Sequence, residues 1–166
     1  MVAPAFTLRP ATPVDADGCA VVHHTSWVQT YSALLPADHF ETDTLAVRTE
    51  RWLANGAPVT VAEQDGQVIG FAIADRSRRV GEHPPVTERE LYSLYVLGAH
   101  HGGGAGQALL DAALPPGSPA QLWVATGNPR ARRFYERNGF RADVASHVGA
   151  QLDLAEVRMV RRPGSI

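Results

Sequence analysis

The sequence predicts an α/β protein: one domain on a mixed, mostly antiparallel sheet of about seven strands, flanked by about four helices. Three observations predict it. Ala120–Ala125 is a continuous apolar run without alternation, as in a strand buried on both faces. Asp65-Gly66 separates two strand-like segments and is a strong signal for a two-residue hairpin. Gly98 to Gly103 is a glycine-rich turn between an apolar strand and an Ala/Leu helix. With 166 residues, 45% of them hydrophobic, the chain can bury a real core and is not of the disordered class.

The elements follow in order. Phe6 to Arg9 reads as a first strand closed by Pro10. Pro13 and Asp15 start a helix carrying Ala16, Cys19, Ala20 and His23 at helical spacing, and Trp27 and Tyr31 continue that face. Leu34-Leu35-Pro36 ends it. A second helix is expected from about Ala37 to Leu53, with Leu45, Arg48 and Trp52 roughly a turn apart, stopped by Asn55-Gly56. Val59 to Gln64 and Gln67 to Ala74 are the hairpin strands, and the polar Arg76 to Thr87 stretch is a loop. Glu90 to Leu97 is a strand. Gly104 to Leu114 is a helix, halted by Pro115-Pro116. After the Ala120 strand, Asn128 caps a helix with Pro129 at its first position, and Gly139 closes it. Phe140 starts a strand and Leu154 to Val160 is the last. The order is βααβββαβαββ, with residues 1–162 as the domain and 163–166 as a tail.

Composition excludes several functions. The formal charge is −2, from 15 basic and 17 acidic residues, which argues against a dedicated nucleic-acid binder. All the basic residues are arginine. Cys19 is the single cysteine, so no internal disulfide or cysteine metal cluster can form, and its helical position reads as core. The seven histidines show no paired metal-ligand spacing, so no metal is expected. No apolar run approaches the ~20 residues that span a bilayer, and the first residues lack a secretion signal. A cytoplasmic protein without membrane contact is expected.

The glycine turn, His100-His101-Gly102-Gly103-Gly104-Ala105-Gly106, carries the chemistry. Bare backbone N–H groups at a helix start, backed by the helix dipole, bind phosphate. It is not a Walker loop, because Gly106-Gln107-Ala108 stands where Gly-Lys-Ser/Thr is needed and the chain has no lysine. It is not a dinucleotide fingerprint either: the glycine spacing is wrong and no acidic residue follows at the required distance.

A third pattern fits. Strand, R/Q-x-x-G-x-G/A, helix resembles the acetyl-CoA loop of the GNAT superfamily of N-acetyltransferases, with His101 in the R/Q place and Gly104 and Gly106 in the glycine places. Leu94-Tyr95-Val96 is similar to the strand that runs beside pantetheine. Asn128 to Phe140 (NPRARRFYERNGF) resembles the family's N-x-x-A-x-x-F-Y-x-x-x-G-F segment. The resemblance covers residues 58–141. His101 departs from Gln or Arg, and Gly103 and Gln107 stand where basic residues are common.

The resemblance implies an enzyme that moves an acetyl group from acetyl-CoA to a primary amine by direct attack in a ternary complex. It places acetyl-CoA on Leu94, Tyr95, Val96, His101, Gly102, Gly103, Gly104, Ala105, Gly106, Gln107 and Asn128, with Asn128 equally readable as a helix cap. Tyr135 would protonate the leaving thiolate; the other reading is a core tyrosine. Glu90, eleven residues before His101, would serve as base; the other reading is a strand-end glutamate paired with an arginine. Trp27 and Tyr31 would border the acceptor, a small-molecule, peptide or protein amine, though their spacing also suits core residues. Relatives often pair, so a homodimer is allowed. The competing class is an acyl-CoA sensor of the same fold without turnover, motivated by the less positive loop.

Overall fold

The computed structural model describes residues 5–149 and 154–164. It contains seven strands and five α-helices, one helix more than expected: β1 (Thr7–Pro10), α1 (Ala16–Tyr31), α2 (His39–Thr42), α3 (Leu45–Leu53), β2 (Val59–Gln64), β3 (Gln67–Arg76), β4 (Arg89–Val96), α4 (Ala105–Ala113), β5 (Ala120–Ala125), α5 (Pro129–Arg137), β6 (Arg141–Val148) and β7 (Ala155–Arg161). The strands form one sheet in the order β1-β2-β3-β4-β5-β7-β6. β4 and β5 run parallel, whereas the pairs β1-β2, β2-β3, β5-β7 and β6-β7 are antiparallel. Ser77 N donates to Glu88 O and Leu97 N to Ile69 O, so β3 and β4 are antiparallel too. The mixed, mostly antiparallel sheet is the expected one.

The chain packs as two compact units, Met1–Ile73 with Ser93–Ala113 and Ala74–Tyr92 with Leu114–Ile166. In the first, Asp65 and Gly66 make the expected hairpin turn, both with positive φ, and join β2 to β3 in a Gln64↔Gln67 register. Cys19, Ala20, Val22, Val61, Ala62, Phe71, Leu109 and Leu110 are all but closed to solvent. Burial pushes the Cys19 thiol up to about 12, which suits the core reading. Arg9 bridges Asp15 and Glu63, tying β1, the turn before α1 and β2 together.

The expected helix from Ala37 to Leu53 is two helices. Thr44 is extended (φ −73, ψ 165) and its hydroxyl accepts from Val47 N, which caps α3 afresh. Asp43 is buried and accepts from both Arg48 and Arg51. Helical periodicity runs through Asp43 and Thr44, but the carboxylate finds its partners only if the chain breaks there.

In the second unit β5 is the middle strand. Glu90 and Leu91 of β4 stand opposite Gln121 and Leu122, and Trp123 and Ala125 stand opposite Arg158 and Glu156 of β7. α5 ends in a Schellman closure, with Phe140 N donating to Tyr135 O and Gly139 N to Glu136 O. That closure takes Phe140 out of the strand, so β6 begins at Arg141. Buried Arg161 donates to the carbonyls of Leu114, Pro115 and Ser118 and to the Ser118 hydroxyl. Its guanidinium also lies 4.8 Å over the Phe140 ring.

Candidate active site

The first unit holds the glycine loop. β4 ends at Val96, a single 3-10 turn spans Gly98–His100, and α4 opens at Ala105. Gly102 and Gly104 have φ of +82 and +88, backbone that other residues adopt only under strain. Ala108 N donates to Gly104 O, the first bond of the helix, so the N–H groups at 104 to 106 precede the intrahelical ladder. A Cβ built on Gly102 or Gly104 meets no protein atom within 4 Å. These glycines are therefore dictated by conformation, not by crowding within the chain. Gly103 N reaches back to His100 O, and Gly106 sits in the first turn. His101, expected at a phosphate, donates from its ring Nε2 to the Val96 carbonyl at 2.7 Å. It clamps the loop to the strand end. Gln107 donates to Asp111 along α4.

Leu94, Tyr95 and Val96 lie on β4 where the pattern placed them. The Tyr95 ring belongs to an aromatic cluster with His23, Phe71 and Trp27, and its hydroxyl accepts from Trp27 Nε1 at 2.9 Å. Trp27 packs on Tyr31 with ring centroids 4.9 Å apart, and the Arg48 guanidinium lies 5.2 Å over the Trp27 ring. Burial and the nearby Arg48 depress His23 to about 3, so it stays neutral. These contacts fit the core reading of Trp27 and Tyr31.

The second unit holds the other candidates. Asn128 Oδ1 accepts from Ala131 N, which is the capping role. Tyr135 is buried on α5, its ring edge-on to Phe134 and Phe140 at 5.3 and 5.9 Å. Glu90 is 1% exposed. Its Oε1 accepts from the Arg78 guanidinium at 2.9 Å, and its Oε2 accepts from Arg78 N and from Gln121 Nε2. Gln121, fully buried, in turn accepts from Val86 N. Arg78 also stacks 3.5 Å over Tyr92. The arginine-paired reading of Glu90 is what these contacts fit.

Beside this network lies a group the sequence reading missed. Gln121, Trp123 and Ala125 share one face of β5, and their opposite numbers Val160, Arg158 and Glu156 share it on β7. His147, opposite Glu156 on β6, approaches it at 3.4 Å. Burial raises the Glu156 carboxyl above its ordinary value; His147 opposes the rise and Glu90 adds to it. Gln121, the one polar residue in the Ala120–Ala125 run, was the available signal, but register with β7 cannot be read from spacing. Among the described residues no group of His, Cys, Asp or Glu is placed to hold a metal ion, and no helix is long and apolar enough to cross a membrane.

The fold and the loop together define a class: α/β domains with a glycine loop at a helix start, where backbone N–H groups can bind phosphate. Comparison with known proteins narrows it. The model of a family described as an acetyltransferase (GNAT) domain matches residues 55–142, just over half of the chain. The chain is 29% identical over 147 residues to a probable N-acetyltransferase of Mycobacterium tuberculosis, covering 82% of this chain and 80% of that one. It is 32% identical over 132 residues to an uncharacterized N-acetyltransferase of Bacillus subtilis, covering 74% and 73%. In fold it is similar to the N-acetyltransferase PaiA of Thermoplasma acidophilum, solved in complex with coenzyme A, with a TM-score of 0.68, 19% identity, and 95% and 98% of the two chains covered. The chain belongs to the GNAT acetyltransferase family. It is an acyl-CoA-dependent acetyltransferase, and acetyl-CoA is its cofactor.

Proposed function

We propose that the chain acetylates a primary amine, of a small molecule, a peptide or a protein, by direct attack on the acetyl-CoA thioester in a ternary complex. The observation that carries this reading is the pair of left-handed glycines, Gly102 and Gly104, opening α4. The amides of residues 101 to 106 would take the pyrophosphate, with no side-chain cation needed. The backbone of Leu94, Tyr95 and Val96 would run beside pantetheine. The Thermoplasma protein, which shares the fold and was solved with coenzyme A, supports the choice of donor.

Acetyl transfer needs the amine neutral at the moment of attack and the thiolate protonated as it leaves. Tyr135 is the proposed acid: a phenol, with a reference pKa of about 10, can protonate a thiolate. For Glu90, three accepted hydrogen bonds favour a place beneath Arg78 over direct proton transfer. A panel comprising a peptide N-terminus, a lysine-containing peptide and a diamine, incubated with acetyl-CoA and read by thiol release, tests the reading. Turnover on at least one amine is expected. Coenzyme A binding without any release would turn the reading to an acyl-CoA sensor.

A further inference from the structure

Glu90 is occupied, yet an acceptor amine reaching the enzyme as ammonium must lose a proton before it can attack. The sheet face that carries Glu90 offers a second carboxylate. Glu90 stands opposite Gln121, two residues before Trp123 on β5; Trp123 stands opposite Arg158 and Ala125 opposite Glu156. Period-two alternation therefore puts Glu90, Gln121, Trp123, Arg158 and Glu156 on one side of the sheet. His147, opposite Glu156, extends the row to β6.

The groups in this row differ in how far they are already engaged. Arg158 is spent on Asp143 and the Pro84 carbonyl. Glu156 has a single ion-pair partner among the described residues, His147 Nε2 at 3.4 Å, and its side chain keeps 34% exposure. A second sign points to a ligand. The Trp123 ring stands edge-on to His147 at 5.7 Å, and its indole N–H is buried without a hydrogen-bond partner among the described residues. A buried donor left unmatched is costly, so an acceptor atom from outside the chain would satisfy it.

We infer that Glu156, oriented by His147, takes the proton from the acceptor amine; this rests on the acetyl-transfer reading above. One ammonium proton passes to Glu156 as the N–H bond breaks, and then leaves to solvent. The amine nitrogen bonds to the thioester carbon and the C–S bond breaks. The second proton, lost as the amide forms, replaces the one that Tyr135 hands to sulfur. The charged groups facing Glu156 are His147 from β6, Glu90 from β4 and Arg158 two residues along β7; β5 presents only Trp123 and Ala125. Burial holds the carboxyl high, closer to the pH at which a general base works best.

The test follows kcat/KM against pH by thiol release, using the amine from the panel that turns over fastest. Glu156→Gln should lower kcat/KM about 10²-fold at neutral pH and remove the acidic limb, with the KM for acetyl-CoA held. His147→Gln removes a group that lowers the Glu156 carboxyl, so its limb should move to higher pH. Glu90→Gln removes a group that raises it, so its limb should move to lower pH. A Glu156→Gln enzyme within about threefold of the parent, or a His147→Gln limb that stays in place, overturns the assignment. A parent protein that acetylates none of the amines overturns the acetyl-transfer reading and this one with it. Parent turnover with indifferent variants overturns this one alone.

Discussion

The glycine loop and the polar sheet face perform different kinds of chemistry with different materials. Everything the loop offers lies within residues 98–107, and it is backbone: two left-handed glycines and the open amides of one helix start. The sheet face is side chain throughout. Arg78, Glu90, Gln121, Trp123, His147 and Glu156 come from one loop and four strands, and they meet through strand register. The contrast teaches which errors each region tolerates. The loop depends on φ values at two positions and on the His101 clamp to the Val96 carbonyl. The face depends on hydrogen bonds between partners far apart in sequence, 31 residues for Gln121 and Glu90 and 35 for Gln121 and Val86.

The largest effect is expected where one atom of a side chain does chemistry. Tyr135→Phe keeps the ring against Phe134 and Phe140 and removes only the hydroxyl. Turnover should fall by about 10²–10⁴-fold with little change in coenzyme A affinity. A Phe variant within about threefold of the parent would assign the proton to water. Next comes the loop. Gly104→Val forces a β-branched residue to φ +88, at a cost of about 1–3 kcal/mol that the loop would relieve by changing shape. Calorimetry should show coenzyme A binding weakened by about tenfold to a hundredfold, since each factor of ten is ~1.4 kcal/mol. Unchanged affinity in a folded variant would put the pyrophosphate elsewhere. The smallest effect sharpens the contrast within the loop itself. Gly106 is helical without positive φ, and a Cβ there meets only Val96 Cγ2 at 3.9 Å, an ordinary contact. Gly106→Ala should raise the melting temperature by about 2–4 °C, from up to ~1 kcal/mol of helix propensity. Affinity for coenzyme A should stay within about twofold of the parent. A large loss would show that side-chain bulk, and not φ alone, decides access to the amides.

What the sequence revealed follows the same division. Asp65-Gly66, the Asn128 cap with Pro129, and the Gly139 stop are local backbone decisions, and each stands where the spacing put it. So does the loop between β4 and α4. The sequence said less where side chains choose their partners. Periodicity carried one helix through Asp43, but a buried carboxylate facing Arg48 and Arg51 broke it in two. The motif places His101 at the coenzyme loop, and its ring nitrogen holds the Val96 carbonyl. For Glu90 the sequence left a base and an arginine-paired glutamate both open, because the partners Arg78 and Gln121 lie 12 and 31 residues away. Glu156 and His147 went unnoticed for the same reason: nothing in either segment announces the other.

Arg161 has a chemical consequence of its own. It is buried, holding four oxygen atoms around Leu114, Pro115 and Ser118, where an ammonium group could supply charge but not the planar fork of donors. A guanidinium stays protonated at any pH the protein would meet, so it has no lone pair with which to attack a thioester. Every other basic side chain apart from histidine in this sequence is likewise an arginine. Stored with its own reagent, the enzyme offers no lysine amine for stray acylation, and the charges that hold its core cannot be erased by the acetyl groups it transfers.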